Sequence, residues 1–527
     1  MIGRSKIQTD LYDVGNVFPY SPDPKSYYGQ LATVSDKLFS DDDFVALYSD
    51  HTGRPSVPPS LLALVLIMQA REQISDEEAI RRTTCDLDWA VVLRRQAGVP
   101  LCAKSTMQYF RAQLMVNGKL NDFLVASLKH ARQQGLLKGQ QLKQAVDTKP
   151  IFGRGAVEDT YNLLGHAMTM LLRAMGASSG RKPSELISEY DLPKLAAPSV
   201  KGAMDIDWSD EGARNGALTD LVADARKLIG LADGADASVK KAASLLEQIL
   251  LQDVVETKKD DGSSDAQIKK GTGKGRVPSV TDPEQRHGRK SASKRFTGHK
   301  ASISADVETG LILAVDVIPG DAPDATGVLD LTKQAEANSD ANIMLTLGDC
   351  AYGSGAHRQE FADAERELLS KVPAEAARDT FPKSAFDIEL PAPGKSLELT
   401  QVTCPSGHTP ERAYLGANNS VVFYFGQRCA HCPLRARCTS AAQGRTIQIQ
   451  AQERLIQVAR QLQATPDGRA KLRARLIVEN ALARLGRLGI GQSRYFGRAM
   501  TRFQLVMAAT VANLRRVWNY AATQTLN

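Results

Sequence analysis

Cysteine is scarce in this 527-residue chain, with 7 residues and an odd count, which excludes a small scaffold stapled by disulfides. Long apolar runs are missing as well. The longest, Leu61 to Met68, is 8 residues, where a membrane-spanning helix needs roughly 20. The opening Met-Ile-Gly-Arg-Ser-Lys runs into polar sequence without the apolar core of a secretory signal. The expectation is a soluble cytoplasmic protein with reduced thiols and no membrane partner. What is present is 43% apolar residues, too many for a mainly disordered chain, and a length that suggests about three domains.

Net charge is +7, from 66 Lys+Arg and 59 Asp+Glu, and its distribution says more than its size. From Arg445 to Asn527 there are 13 Arg and 1 Lys against Glu453, Asp467 and Glu479, so 14−3 = +11. From Gly271 to Lys300 the chain carries Lys274, Arg276, Arg286, Arg289, Lys290, Lys294, Arg295 and Lys300 against Asp282 and Glu284, so 8−2 = +6. Either run alone reads equally as a solvated surface. Two of them favour a polyanionic partner, most simply nucleic acid, which arginine's planar fork contacts well.

Along the chain, residues 1–135 read as helical. Pro55, Pro58 and Pro59 open a helix from Ser60 to about Arg71, Ser75-x-x-Glu78 starts a second, and Ser105-x-x-Gln108 starts a third. Arg81, Arg82, Arg94, Arg95 and Arg111 decorate these helices. They fit a helix-turn-helix-like DNA-binding unit or a plain helical bundle. The stretch "LKQAVDTKPI" from Leu142 to Ile151 is a strand with Asp147 in its middle. Helix returns over about 157–255, with Leu245, Leu246, Ile249 and Leu250 at helical spacing, and Glu256 to Ser279 is polar enough to be a flexible linker. "GHKASISADV" and "GLILAVDVIP" form a hairpin about Glu308-Thr309-Gly310. A helix from about Ala325 and the strand "NIMLTLGDCAY", ending at Asp349, complete a βββαβ order with the first and fourth strands adjacent.

Adjacent first and fourth strands bring Asp147 and Asp349 together although 202 residues separate them. A third acid is then wanted on a helix against the sheet. Glu479 is the best candidate, as the one acid between Asp467 and the C-terminus; Arg475 stands four residues before it and Arg484 five after. Carboxylates suit Mg²⁺ or Mn²⁺, hard ions that prefer oxygen. Spacing alone does not select these three among 59 acids.

Cys404, Cys429, Cys432 and Cys438 lie within 35 positions, two of them in a C-x-x-C knuckle. That pattern predicts structural Zn²⁺ in a reduced compartment, with His408 or His431 able to replace one thiolate; incidental buried thiols are the plain alternative. Lys290, Lys294, Arg295, His299 and Lys300 lead into the hairpin, where they would grip DNA or form a solvated turn. Trp518, Tyr520 and the stripe Leu505, Ala509, Leu514 read as packing for the last helix.

"AVDTKPIFGRGAVEDTYNLL", "DPEQRHGRKSASKRFTGHKASISADVETGLILAVDVIPGDAPD", "LGDCAYGSG" and "RARLIVENALARLGRLGIGQSRYFGRAMTRFQLVMAATVANLRRV" resemble successive blocks of bacterial insertion-sequence DDE transposases. The resemblance implies a mixed α/β chain with an RNase H-like core, and Asp147, Asp349 and Glu479 match the family's metal-binding acids. It implies a transposase that cleaves DNA at terminal inverted repeats with Mg²⁺ or Mn²⁺ and joins the ends to target DNA. It would act as a homodimer or higher oligomer on double-stranded DNA, at the bacterial nucleoid. Arg475, Arg484, Arg487, Arg494 and Arg498, with Lys290, Lys294, Arg295 and Lys300, become the expected DNA contacts. Related transposases place a Tyr and an Arg before the Glu and a Lys after it; here Arg475 fits the Arg, while Leu472 and Gly486 hold the Tyr and Lys positions.

The expected organisation is a helical DNA-binding domain at 1–135, core strands at 140–155 and 281–370, and a helical insertion with a flexible basic linker at 156–280. A Cys-rich zinc insertion at 371–445 and basic helices at 446–527 complete the core. A nuclease without strand transfer and a non-enzymatic zinc-containing DNA-binding regulator are the competing readings.

Overall fold

A computed structural model gives the fold of residues 1–5, 20–49, 54–232, 236–258, 264–271, 273, 275–291, 293–373 and 380–524. Lys274 of the second basic run lies outside the described residues. After helix α1 (Tyr27–Leu38), Pro59 sits in the first turn of α2 (Pro59–Glu72), where a missing N–H removes no helical bond. The Ser75 side chain accepts from the Glu78 backbone to start α3 (Asp76–Cys85), followed by α4 (Leu87–Leu93). The Ser105 cap does not form: α5 (Lys104–Val116) begins at Lys104 behind Ala103, with no side-chain cap. Helix α6 (Asp122–Gln133) then leads into strand β1 (Gln141–Phe152).

The next helices, α7 (Thr160–Ser179), α8 (Pro183–Glu189), α9 (Glu211–Leu231) and α10 (Ala237–Asp253), bury their own apolar cluster around Leu164, Leu171, Leu218, Leu246 and Ile249. The stretch expected to be a loose linker instead begins with a two-stranded ribbon. There β2 (Val254–Lys258) pairs antiparallel with β3 (Ser264–Ile268). Its ladder is made of backbone, so polar side chains do not prevent it.

The main sheet follows: β4 (Arg286–Arg289), β5 (Arg295–Asp306), β6 (Ile312–Pro319), α11 (Val328–Ser339), β7 (Asn342–Gly348), α12 (Gly355–Asp363) and β8 (Glu367–Ser370). The strands run β5-β1-β7-β8, with β4 and β6 both pairing β5. β1 is antiparallel to β5 and parallel to β7. The β5–β6 turn is set by the Asp306 carboxylate, which accepts from the Thr309 N–H at 2.7 Å and hydroxyl at 2.6 Å, and by Gly310 at φ 68°.

In the Cys-rich region β9 (Asp387–Glu389) pairs β10 (Gln401–Thr403), and β11 (Arg412–Leu415), β12 (Val421–Tyr424) and β13 (Thr446–Ile449) form a second small sheet. Phe386, Val402, Phe423, Phe425 and Ile449 give this region its own core. Four helices close the chain: α13 (Glu453–Ala464), α14 (Pro466–Ala474), α15 (Leu476–Arg487) and α16 (Arg498–Gln524). Leu505, Ala509 and Leu514 of α16 are fully buried, and the Tyr520 hydroxyl donates to the Gly135 carbonyl. One continuous apolar cluster joins the N-terminal helices, the main sheet, α15 and α16, so the first helices pack onto the sheet's own core.

Candidate active site

The parallel pairing of β1 and β7 builds the site. Lys143, Gln144 and Ala145 lie opposite Leu345, Thr346 and Leu347; the same offset carried two residues on sets Asp147 beside Asp349, just past the end of β7. Around Asp147 the strand opens, residues 147–150 being half-buried on both faces. Burial pushes the Asp147 carboxyl up to about 6; the Thr148 N–H opposes this, Asp349 and Asp324 add to it, and Arg475 counters it. Asp349 caps the turn after β7, its Oδ1 accepting from the Ala351 N–H at 2.8 Å and its carbonyl from the Ser370 hydroxyl.

Glu479 differs from these two. Its helix, α15, packs on β1 and β5, but Val478, Ala481, Leu482 and Leu485 take the buried face. The Glu479 side chain is 51% exposed and pairs with Arg475 at 3.4 Å. Since the Arg475 charge also bears on Asp147, this arginine links Glu479 electrostatically to the Asp pair. Among the described residues, no three His, Cys, Asp or Glu side chains stand close enough together to hold a metal ion. Two adjacent carboxylates still suit a hydrated divalent cation, which commonly takes one or two protein carboxylates plus substrate oxygens. An orphaned polar atom supports the fit: the Tyr352 hydroxyl is buried without a hydrogen-bond partner among the described residues, and burial together with Asp147, Asp324 and Asp349 pushes its pKa far up.

Three residues here were not singled out by sequence reasoning. Asp324 follows β6 and accepts from the buried Lys300 ammonium at 2.7 Å. Tyr352 lies in the turn after Asp349, and its side chain fills the space where a Cβ at Gly348 would stand, its own Cβ 2.7 Å and its ring 2.8 Å away. Lys149 follows Asp147 by two residues on the same strand face. An alternation count along β1 would have found Lys149. Asp324 and Tyr352 are brought in by tertiary packing.

The expected DNA contacts fall into two groups. Arg484 donates to the Gly310 carbonyl and is partly buried, which pulls its pKa down to about 10. Arg494 donates to the Ile74 carbonyl, and Lys300 is spent on Ala322 and Asp324. Arg498 pairs with Glu284 at 3.4 Å. By contrast Arg487, Lys290, Lys294 and Arg295 are exposed and have no acidic partner among the described residues; Arg295 faces Arg289 directly across the ladder, an arrangement that like charge disfavours. His299 is fully buried, with Nε2 3.5 Å from Asp282.

Cys404, Cys429, Cys432 and Cys438 all line one small cavity with Pro405 and Phe425. Cys404 Sγ accepts from the His408 N–H at 3.3 Å, and burial plus the other three thiols raises the Cys438 pKa against the pull of Arg445. The donor set is right for zinc in number and kind, but its atoms are not drawn into a coordination shell. The expected zinc centre is therefore not formed in the structure.

A family model described as a transposase DDE domain matches residues 403–518, and one described as a transposase domain (DUF772) matches residues 18–113. No curated protein and no solved structure matches the chain. No helix among the described residues is long and apolar enough to cross a membrane.

Proposed function

The two matched domains make this chain a member of the insertion-sequence DDE transposases, and from that premise we propose that it cuts DNA at the ends of its element and joins the freed 3′ ends to target DNA. The strand order β6-β5-β1-β7-β8 supports reading the sheet as an RNase H-like core. The observation that carries the proposal is the β1–β7 register, which sets Asp147 beside Asp349 at the open end of the sheet. With Glu479 these acids would hold Mg²⁺ or Mn²⁺, whose contribution when bound is to activate the attacking oxygen and stabilise the leaving one.

The rest is the work of the chain. Asp147, midway along β1, and Asp349, just past the end of β7, present carboxylate oxygens to the same place. Arg475 neutralises charge beside Glu479, and the unpaired Arg487, Lys290, Lys294 and Arg295 attract the DNA backbone. In cleavage, a water oxygen bonds to phosphorus and the P–O3′ bond breaks, leaving a 3′-hydroxyl. In joining, that hydroxyl oxygen attacks a target phosphodiester and the target's own 3′-oxygen leaves. Two ends must be joined together, so we assign a homodimer or larger assembly on DNA. The four cysteines are proposed as a structural zinc site that closes when metal binds; a metal-to-protein ratio near zero in native protein would exclude it.

The test is incubation of purified protein and Mg²⁺ with DNA carrying the element's inverted repeats. Cleaved ends together with joined products are expected, and neither with Asp349→Ala. Cleaved ends without joined product would leave a nuclease. DNA binding without cleavage would leave a regulator.

A further inference from the structure

Lys149 is a half-buried cation without a counter-ion. Among the described residues its ammonium makes no ion pair and has a single long hydrogen bond, 3.5 Å to the Leu482 carbonyl of α15. It lies against Gly486 one turn further along that helix, where a Cβ would come within 2.5 Å of Nζ. Any side chain at 486 would displace the ammonium, so the glycine makes a notch that the lysine fills. Two residues along β1 from Asp147, on the same face, the notch stands roughly 7 Å from that acid's position on the strand. After burial, the charge that bears most on it is that of a second cation, exposed Lys290 just past β4. An ammonium with three donors, one weak acceptor and a like charge for a neighbour calls for an anion.

We propose that Lys149, seated in the Gly486 notch, binds a phosphodiester of the DNA strand lying beside Asp147 and Asp349. The inference rests on the transposase reading for the identity of its ligand, and it gives the strand a line of travel across the protein. The acids take one phosphate, and Lys149 takes a neighbouring one toward the C-terminal end of α15. Lys290 supplies a further charge on the outer side. The helix carbonyl at Leu482 orients the ammonium and leaves its remaining donors for phosphate oxygens.

The test reads binding, not catalysis. Anisotropy of a fluorescein-labelled duplex of roughly 30 bp and arbitrary sequence is measured over a salt series without Mg²⁺. Lys149→Gln is expected to weaken binding several-fold and to reduce the slope of log Kd against log salt by about 0.9, the share of one phosphate contact. Lys149→Arg is expected to restore the slope. Gly486→Ala, whose methyl group pushes the ammonium away, is expected to weaken binding likewise, while its melting temperature stays level or rises because Ala favours helix over Gly. This second variant keeps the test informative should Lys149→Gln fold poorly. A wild-type slope in both variants overturns the proposal. So does a lowered melting temperature in Lys149→Gln with normal binding in Gly486→Ala, which would make Lys149 a strut for α15. Loss of the cleavage reading would appear in the Mg²⁺ assay and leave this measurement standing.

Discussion

The arginines of the N-terminal helices and those of the C-terminal helices lead different lives. Residues 1–135 carry 15 Lys+Arg and 15 Asp+Glu, a net charge of zero, whereas residues 445–527 carry 14 and 3. In the first region Arg81 and Arg82 pair with Glu78, Arg94 with Asp36, and buried Arg111 with Asp76. In the second, acids are too few, so Arg469, Arg484, Arg494 and Arg516 donate to the carbonyls of Ala464, Gly310, Ile74 and Thr309. A carbonyl satisfies a guanidinium's geometry without cancelling its charge. The C-terminal helices therefore keep their field even where the arginine is partly buried. Counting arginines treats the two regions alike; following each one to its partner separates a charge-paired network from a surface that keeps a net positive field.

The largest effect that would break this contrast is at Arg111. It is 5% exposed, donates to Asp76 at 2.6 Å, and lies over the Phe503 and Tyr495 rings. Arg111→Ala leaves the half-buried Asp76 without its ion pair and with the Gln69 amide as a remaining side-chain donor, so a loss of about 3 kcal/mol, the low end for a broken buried pair, is expected in urea unfolding. The affinity of the remaining folded protein for DNA should be unchanged. Weakened binding at wild-type stability would put this arginine on the DNA.

Asp147 is the opposite case, an acid short of cations. A carboxyl raised from 3.8 to about 6 favours the folded state while protonated; that advantage is complete below the ordinary carboxyl pKa and is lost as pH rises through 6. Asp147→Asn, which has no charge to bury, should be more stable than wild type by up to about 3 kcal/mol at pH 8 and equal to it near pH 4. The wild type alone should regain stability on adding Mg²⁺. Equal unfolding curves at pH 8 would mean that Asp147 carries no such burden.

What was readable in the sequence followed from local pattern. Asp147 in its strand, the Glu308-Thr309-Gly310 turn and the β7 terminus each have a signature within about ten residues, and the expected adjacency of the first and fourth strands, which the β1–β7 pairing shows, then brought Asp147 to Asp349. The Ser105 cap misled because the helix has its N-cap two residues earlier, at Ala103, so Ser105 already lies inside its first turn. The polar ribbon at 254–268 was invisible because backbone, not side chain, makes its ladder. Asp324 and Tyr352 join the site only through tertiary packing; Lys149 shares a strand face with Asp147, but its reach to Leu482 and Gly486 leaves no local trace. Glu479, reached by elimination among the C-terminal acids, has an exposed side chain paired with Arg475.

A middle-sized effect separates arginines within the basic region itself. Arg484 on α15 and Arg516 on α16 both donate to the β5–β6 turn, at the Gly310 and Thr309 carbonyls. Truncating Arg484 removes a charge-assisted hydrogen bond, so Arg484→Ala should cost about 1.5–3 kcal/mol of stability. It should also loosen the turn.

The smallest stability effect belongs to Arg487, exposed and without an acidic partner on the same helix. Arg487→Ala should change stability by no more than about 0.5 kcal/mol, yet lower the salt slope of DNA binding by about 0.9 if it meets a phosphate. The pair is more informative than either variant. A structural arginine moves the unfolding curve and leaves the slope; a DNA-facing arginine does the reverse. If Arg484→Ala moves only the slope, its carbonyl contact is incidental and charge count alone suffices to find the DNA surface. If Arg487→Ala moves neither, the surface lies elsewhere, on the Lys290–Arg295 hairpin, and the excess of +11 in the C-terminal helices serves to hold them together.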